Sequence, residues 1–209
     1  MIPVKVLAVR YLPGSDPMLA KSLGASQGYP SLGMLTTDCD DATYIALDAA
    51  TKAADVEVCY ARSFYAGAAN ASTPNAGEVI GILAGATAAA VRSGMDAALS
   101  TLKTIGFDEV AGVPYLAHTV SSVGSFLAKE ADVRIGSAIA YLIAPPLEGM
   151  YAMDAALKAA DVTLCKLYAP PSETNFGGGL LSGTQSACEA ACRAFAEAVK
   201  EVAARPVEG

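Results

Sequence analysis

The sequence predicts an α/β chain, layered as an α+β sandwich, in which one small fold occurs twice in tandem, each copy a small sheet with helices on one face. Three observations carry this. First, residues 45–56 (IALDAATKAADV) return as residues 151–162 (YAMDAALKAADV), an offset of 106 positions. A period that long is a domain period, well above that of solenoids or propellers. Second, Val- and Leu-rich runs alternate with stretches whose apolar residues recur at helical spacing. Third, 209 residues suffice for two compact domains of about 100 residues each. The copies are assigned to residues 1–108 and 109–209.

In the first copy, residues 4–11 read as a strand, and Pro13-Gly14-Ser15-Asp16-Pro17 turns the chain. Residues 18–23 form a short helix that Gly28-Tyr29-Pro30 closes off, and 31–37 a second strand. The acidic stretch Asp38-Cys39-Asp40-Asp41 leads into a helix over 42–54, with Ile45, Ala46, Ala49, Ala50 and Ala53 on one face. A strand over 56–63, a loop of small residues over 65–75 and a strand over 77–83 follow. The copy ends in a helix over 88–103, striped by Val91, Met95, Ala98, Leu99 and Leu102. Residues 105–113 read as a connecting loop.

The second copy repeats the order: strand 115–121, helix 124–130, strand 137–143, loop 144–148, helix 149–160, strand 162–168 and loop 169–178. A strand near 179–182 and a helix over 186–203, striped by Ala191, Phe195, Ala198, Val199 and Val202, complete it. Each copy therefore reads β-α-β-α-β-β-α.

Composition narrows the function. A net charge of −7 argues against nucleic acid, which is gripped through a basic surface, and permits attraction of small cations. A charged fraction of only 17 % leaves much surface for an interface to cover. The five cysteines are scattered without C-x-x-C, and the single histidine removes most zinc arrangements. No apolar run is long enough to cross a bilayer. The expectation is a reduced cytosolic protein without disulfides, cofactor or metal. Cys59 and Cys165 are repeat mates and are expected in the core; Cys188 and Cys192, four apart on a helix, are expected as small buried hydrophobes.

Asp38, Asp40 and Asp41 form the densest acidic cluster. Helix capping accounts for one of the three. Adjacent like charges cost free energy unless solvent or a cation offsets them. The second copy carries the uncharged Ala144-Pro145-Pro146 at the same place, which tilts the reading toward a function special to the first copy. Glu78 opens the next strand directly after the small-residue loop; a solvated strand end is the plainer reading. Ser172-Glu173-Thr174-Asn175 stands between Pro170-Pro171 and Phe176-Gly177-Gly178-Gly179, a polar tip on a stem that glycines free at one end. Residues 178–186 lack the spacing of either phosphate-binding fingerprint. No nucleophile is partnered with a base, so no catalytic set is visible.

Several stretches together are specific. Ser31-Leu32-Gly33, Asp38-Cys39-Asp40-Asp41-Ala42-Thr43-Tyr44, Tyr65-Ala66-Gly67-Ala68, Ala76-Gly77-Glu78-Val79, Ala144-Pro145-Pro146-Leu147-Glu148 and Pro170-Pro171-Ser172-Glu173-Thr174-Asn175 resemble the EutL family. These are the tandem-domain shell proteins of the ethanolamine-utilisation bacterial microcompartment. The similarity runs over nearly the whole chain. It implies two circularly permuted microcompartment domains and a homotrimer that looks hexagonal. It implies tiling with other shell proteins into a cytoplasmic microcompartment shell, with a gated central pore. It also implies a small acidic pore in each subunit that takes ethanolamine, at positions matching Asp40, Asp41, Glu78, Phe107 and Thr174. Loops at a threefold pore must have two conformations if it opens. The candidates are 65–75 and 170–179, with Tyr65, Gly67, Ser172, Glu173, Asn175, Phe176 and Gly178 in gating positions and Gly177-Gly178-Gly179 as hinge. The sequence departs from the family at Ser121-Ser122-Val123-Gly124, where an Arg-containing segment is usual, and over 104–113, which is trimmed beside Phe107.

The expected function is thus a shell and pore protein, not an enzyme. The alternative is a small-molecule, amine-binding protein or sensor that does not tile. An enzyme using Asp40 or Glu173 as general base ranks third.

Overall fold

The structure, a computed structural model, describes residues 1–65, 77–170 and 172–207. Its strands are β1 (Ile2–Pro3), β2 (Val6–Leu12), β3 (Ser31–Thr37), β4 (Glu57–Ser63), β5 (Val79–Gly85), β6 (Gly106–Val110), β7 (Val113–Val120), β8 (Ala138–Ala144), β9 (Val162–Tyr168) and β10 (Gly177–Gly183). Its helices are α1 (Pro17–Ser22), α2 (Asp40–Ala53), α3 (Ala88–Leu102), α4 (Ser125–Glu130), α5 (Pro146–Ala159) and α6 (Gln185–Ala204). The chain divides into two compact units. The first comprises Pro3–Ile105 with Gly124–Leu127; the second comprises Met1–Ile2, Gly106–Val123 and Ala128–Gly209.

In the first unit an antiparallel sheet runs in the order β2-β3-β5-β4. Register follows the side-chain period of two. Leu32 lies opposite Ala84 and Met34 opposite Ile82, so these share one face; Gly33 lies opposite Leu83 and Leu35 opposite Gly81, and these share the other. The second face takes the two long helices. A Cβ on Gly33 would stand 2.7 Å from Val91 of α3, and one on Gly81 would stand 2.5 Å from Leu47 of α2, so the missing side chains let the helices close on the sheet. The first face is packed by Leu23, Ala25 and Tyr29, which follow α1.

In the second unit the sheet is six strands wide, in the order β1-β6-β7-β8-β10-β9. Its core joins Ala140, Leu142 and Leu181 of the sheet to Ala152, Met153 and Ala156 of α5 and to Ala191, Phe195 and Val199 of α6. Alanine on the facing surfaces lets the two helices approach closely. Phe195 is completely buried and contributes on the order of 1.5–3 kcal/mol of hydrophobic stabilisation.

The structure corrects several expectations. Residues 105–113 are a hairpin rather than a loop: β6 pairs antiparallel with β7 through Val110 and Val113. The turn is Ala111-Gly112 with φ of +51° and +81°, the left-handed pair a tight hairpin needs. Alanine rarely takes that conformation, so the turn leaves little trace in the sequence. Helix α5 starts at Pro146, whose fixed φ suits the first helical position, rather than at 149. Cys59 and Cys165 are half-buried, not core. Each is the extra residue of a bulge: Leu83 and Ile82 pair with Val58 and Tyr60, and Leu181 and Leu180 with Leu164 and Lys166. Gly177, Gly178 and Gly179 are buried within β10 and do not form a loop hinge. A Cβ on Gly178 would stand 1.9 Å from the Leu142 carbonyl oxygen, so this glycine serves close packing between strands.

Candidate functional site

The acidic cluster lies in the first unit, where β3 hands the chain to α2. None of its aspartates caps the helix with its side chain; Cys39 occupies the cap position. The local bonds are made by threonines instead. Thr37 Oγ1 accepts from Cys39 N at 3.1 Å and lies 2.7 Å from Thr43 Oγ1, and Thr43 Oγ1 donates to Cys39 O. Asp38 is held by Lys5 N, which donates to its Oδ1 at 2.7 Å. Asp40 and Asp41 fill the first turn of α2 and are buried, and Asp40 Oδ1 accepts from Asp41 N at 2.9 Å. The unsatisfied N–H groups of a helix start favour negative charge there, which makes two adjacent buried carboxylates tolerable.

Gly77 brings Glu78 to the same place. Its φ is +64°, and a Cβ there would stand 2.2 Å from Thr37 O. Glu78 N then donates to Thr37 O at 2.8 Å, while Glu78 O accepts from Phe64 N at 3.0 Å. Burial pushes the Glu78 carboxyl up to about 7, and the charges of Asp40 and Asp38 push it the same way. Burial also raises Asp40, against the opposing hydrogen bond from Ser63. The Cys39 thiol is raised by burial and then by Asp41, so it stays protonated. Ser63 and Tyr44 were not visible in the sequence as site residues. Ser63 Oγ bonds both Asp40 and the Tyr44 hydroxyl, and Tyr44 packs its ring on Phe126 at 5.9 Å. A serine at a strand end has no periodic signature; Tyr44 stands one helical turn after Asp40, the only hint available.

Asp40, Asp41 and Glu78 are therefore brought together. Phe107 and Thr174, the other matching positions, belong to the second unit. Phe107 on β6 packs edge-on against Phe176, with centroids 5.6 Å apart. Thr174 lies half-buried in a turn that Ser172 closes: Ser172 Oγ donates to Phe176 O at 2.7 Å and accepts from Phe176 N at 3.1 Å. Asn175 takes φ of +63° there, and Glu173 is exposed. Tyr65 is exposed at the end of its strand's extension. Gly67 and the remainder of 66–76 lie outside the described residues.

Chemically, the first-unit cluster is a set of partly buried carboxylates held by fixed backbone. One of them is poised to exchange a proton near neutrality, an arrangement suited to a small organic cation. Among the described residues no group of three or more His, Cys, Asp or Glu side chains is placed to hold a metal ion, and no helix is long and apolar enough to cross a membrane.

Comparison with known proteins places these features. The sequence profile of the BMC domain matches residues 31–113. The bacterial microcompartment shell protein EutL of Clostridium perfringens (strain 13 / Type A) is 57 % identical over 211 residues, which cover 99 % of this chain and 97 % of that protein. The protein of the same name from Escherichia coli (strain K12) is 45 % identical over 212 residues, covering 100 % of this chain and 97 % of its own. The crystal structure of ethanolamine utilization protein EutL from Leptotrichia buccalis C-1013-b superposes with a TM-score of 0.95 at 56 % identity, covering 100 % of this chain and 98 % of that one.

Proposed function

The chain belongs to the EutL family of bacterial microcompartment shell proteins, and from that premise we propose that three copies close into a pseudohexagonal disc whose small pores bind ethanolamine or a similar amine. Its role is structural, and it is not an enzyme. The disc tiles with other shell proteins in a microcompartment shell inside the cytoplasm. A chain holding two related units makes six units from three copies, and a head-to-tail contact between copies closes as a ring.

The observation that carries the binding reading is the meeting of Asp40, Asp41 and Glu78 at the start of α2. Ethanolamine is a cation with a hydroxyl. The three carboxylates take its ammonium, and Thr174 and Phe107 are carried only as positions that match the family's ligand site. Gating of the central pore involves Tyr65, Gly67 and the turn of Ser172, Glu173, Asn175 and Phe176. Gly178 contributes as a fixed strand residue below that turn rather than as a hinge. Calorimetry with ethanolamine tests the binding reading. Asp41→Asn should weaken it by about 1.5–3 kcal/mol, the scale of a charge-assisted hydrogen bond. An unchanged affinity removes Asp41 from the site, and no heat with the parent protein removes ethanolamine as the ligand.

A further inference from the structure

A line of two hydroxyl groups ends on the buried carboxylate of Asp40. Ser63 closes β4, where it pairs with Val79, and the next residue, Phe64, donates its N–H to Glu78 O. This ladder sets the Ser63 hydroxyl beside the first turn of α2, bonded to both Asp40 and the Tyr44 hydroxyl. The direction of the line follows from counting protons. A serine has one hydroxyl proton, and an ionised carboxylate can only accept. A charged acceptor forms the stronger bond, so Ser63 donates to Asp40 and accepts from Tyr44. The order is Tyr44 to Ser63 to Asp40, and each bond strengthens the next.

Tyr44 is itself held in place. Its ring lies on Phe126 with centroids 5.9 Å apart. Phe126 stays there because the first turn of α4 is bonded to α2. Asp48 accepts from Gly124 N at 2.7 Å and from Leu127 N at 2.8 Å, and Thr51 Oγ1 accepts from Ser125 N at 3.1 Å. All of these residues belong to the first unit.

The internal repeat shows that the hydroxyls go with the charge. At the offset of 106 residues, Asp40, Tyr44 and Ser63 become Pro146, Met150 and Ala169, while Asp48 and Cys59 are kept as Asp154 and Cys165. The carboxylate and both hydroxyls are absent together from the second copy. Hydroxyls that served only to pack α2 beside β4 had no reason to be lost with the charge.

We propose that Tyr44 and Ser63 are positioning residues of the amine site, holding Asp40 ionised and aimed as its fixed negative charge and leaving Glu78 as the carboxyl that gives up a proton when the amine enters. This rests on the amine-binding reading above and gives its carboxylates different roles. The titratable groups around Asp40 are Asp38, Cys39 and Asp41 beside it in sequence, Tyr44 one turn on and Glu78 ahead of β5. None of these is a cation. Burial disfavours the charge on Asp40, and the Ser63 hydrogen bond works against burial.

Calorimetry on the full chain tests this at pH 6 and pH 8, with ethanolamine and with ethylamine, which has the ammonium but no hydroxyl. The variants are Ser63→Ala and Tyr44→Phe; the second keeps the ring on Phe126 and removes one oxygen. Ser63→Ala should bind both amines about tenfold more weakly than the parent at pH 6, the effect of holding about nine in ten Asp40 carboxyls protonated there. The loss at pH 8 should be much smaller, and more protons should be released per amine bound at pH 7 than by the parent. Tyr44→Phe should change both readings in the same direction by less. Parent-like binding by both variants, or a loss equal at the two pH values, overturns the positioning role. A loss confined to ethanolamine overturns it too, because Ser63 would then touch the ligand hydroxyl directly. A parent that binds neither amine removes the amine-binding reading and this inference with it.

Discussion

Asp48 of α2 and Gly124, far apart in sequence, are joined by a 2.7 Å hydrogen bond from the Gly124 N–H to a carboxylate oxygen that is completely buried. A Cβ at position 124 would stand 2.2 Å from Thr51 Oγ1, so the approach requires glycine. The bond, with its companion to Leu127 N, makes residues 124–127 part of the first unit. Asp48→Ala leaves two buried donors unmet and Lys52 without its ion pair. The expected cost is about 3 kcal/mol, at 1–3 kcal/mol per orphaned buried donor. Asp154→Ala, the same change at the exposed repeat mate, should stay within about 0.5 kcal/mol. Urea unfolding of the two variants makes the comparison.

Gly178 should resist substitution for a packing reason. At φ of +152°, with Leu142 O where a Cβ would go, Gly178→Ala must move β8 away from β10. A loss on the order of 4 kcal/mol, in the range of the severe single substitutions, is expected. Gly14→Ala meets nothing within 4 Å and serves as the control. If Gly178 were a free hinge, both variants would unfold alike.

Glu78 should make cation binding depend on pH. Its carboxyl sits near 7 in the folded chain against an ordinary 4.5. Between those values the folded state holds a proton that the unfolded state releases, so this group's contribution to stability falls as pH rises through that window. A bound ammonium favours the ionised carboxylate, so ethanolamine affinity should increase from pH 6 to pH 8, with proton release on binding near pH 7. Calorimetry in buffers of different ionisation enthalpy measures that release. Glu78→Gln should abolish it and flatten the pH dependence.

The turn at Ser172 carries the residues of the proposed gate. Ser172→Ala removes both bonds to Phe176 and frees the ring that packs on Phe107. Amide exchange at Phe176 and Asn175 should speed up while exchange in β10 is unchanged. Equal exchange in parent and variant would mean that the turn is held by other contacts.

Much of the fold is legible in the sequence because it rests on period. The strands Ser31–Thr37 and Val162–Tyr168 fall where alternation and flanking turns place them, and the α6 stripe through Phe195 is buried as its spacing requires. What escapes depends on contacts distant in the chain. The burial of Asp48 is set by Gly124 and Leu127, so a window around α2 reads it as a surface charge like Asp154. The glycines of 177–179 look like freedom and are instead room for neighbouring backbone. In the candidate site, Asp40 and Asp41 stand out because the second copy has no matching charge, whereas Glu78 reads by itself as a solvated strand end and is drawn to them only by the backbone turn at Gly77. Ser63 stays hidden because its role comes only from what β4 places beside α2.

The central claim is that this chain assembles as a threefold shell unit, and electron microscopy of the concentrated purified protein tests it most directly. The account requires discs with threefold symmetry, each with the mass of three 21.1 kDa chains, packed edge to edge in sheets. Isolated particles containing one or two chains, with no sheets at any concentration, would contradict it.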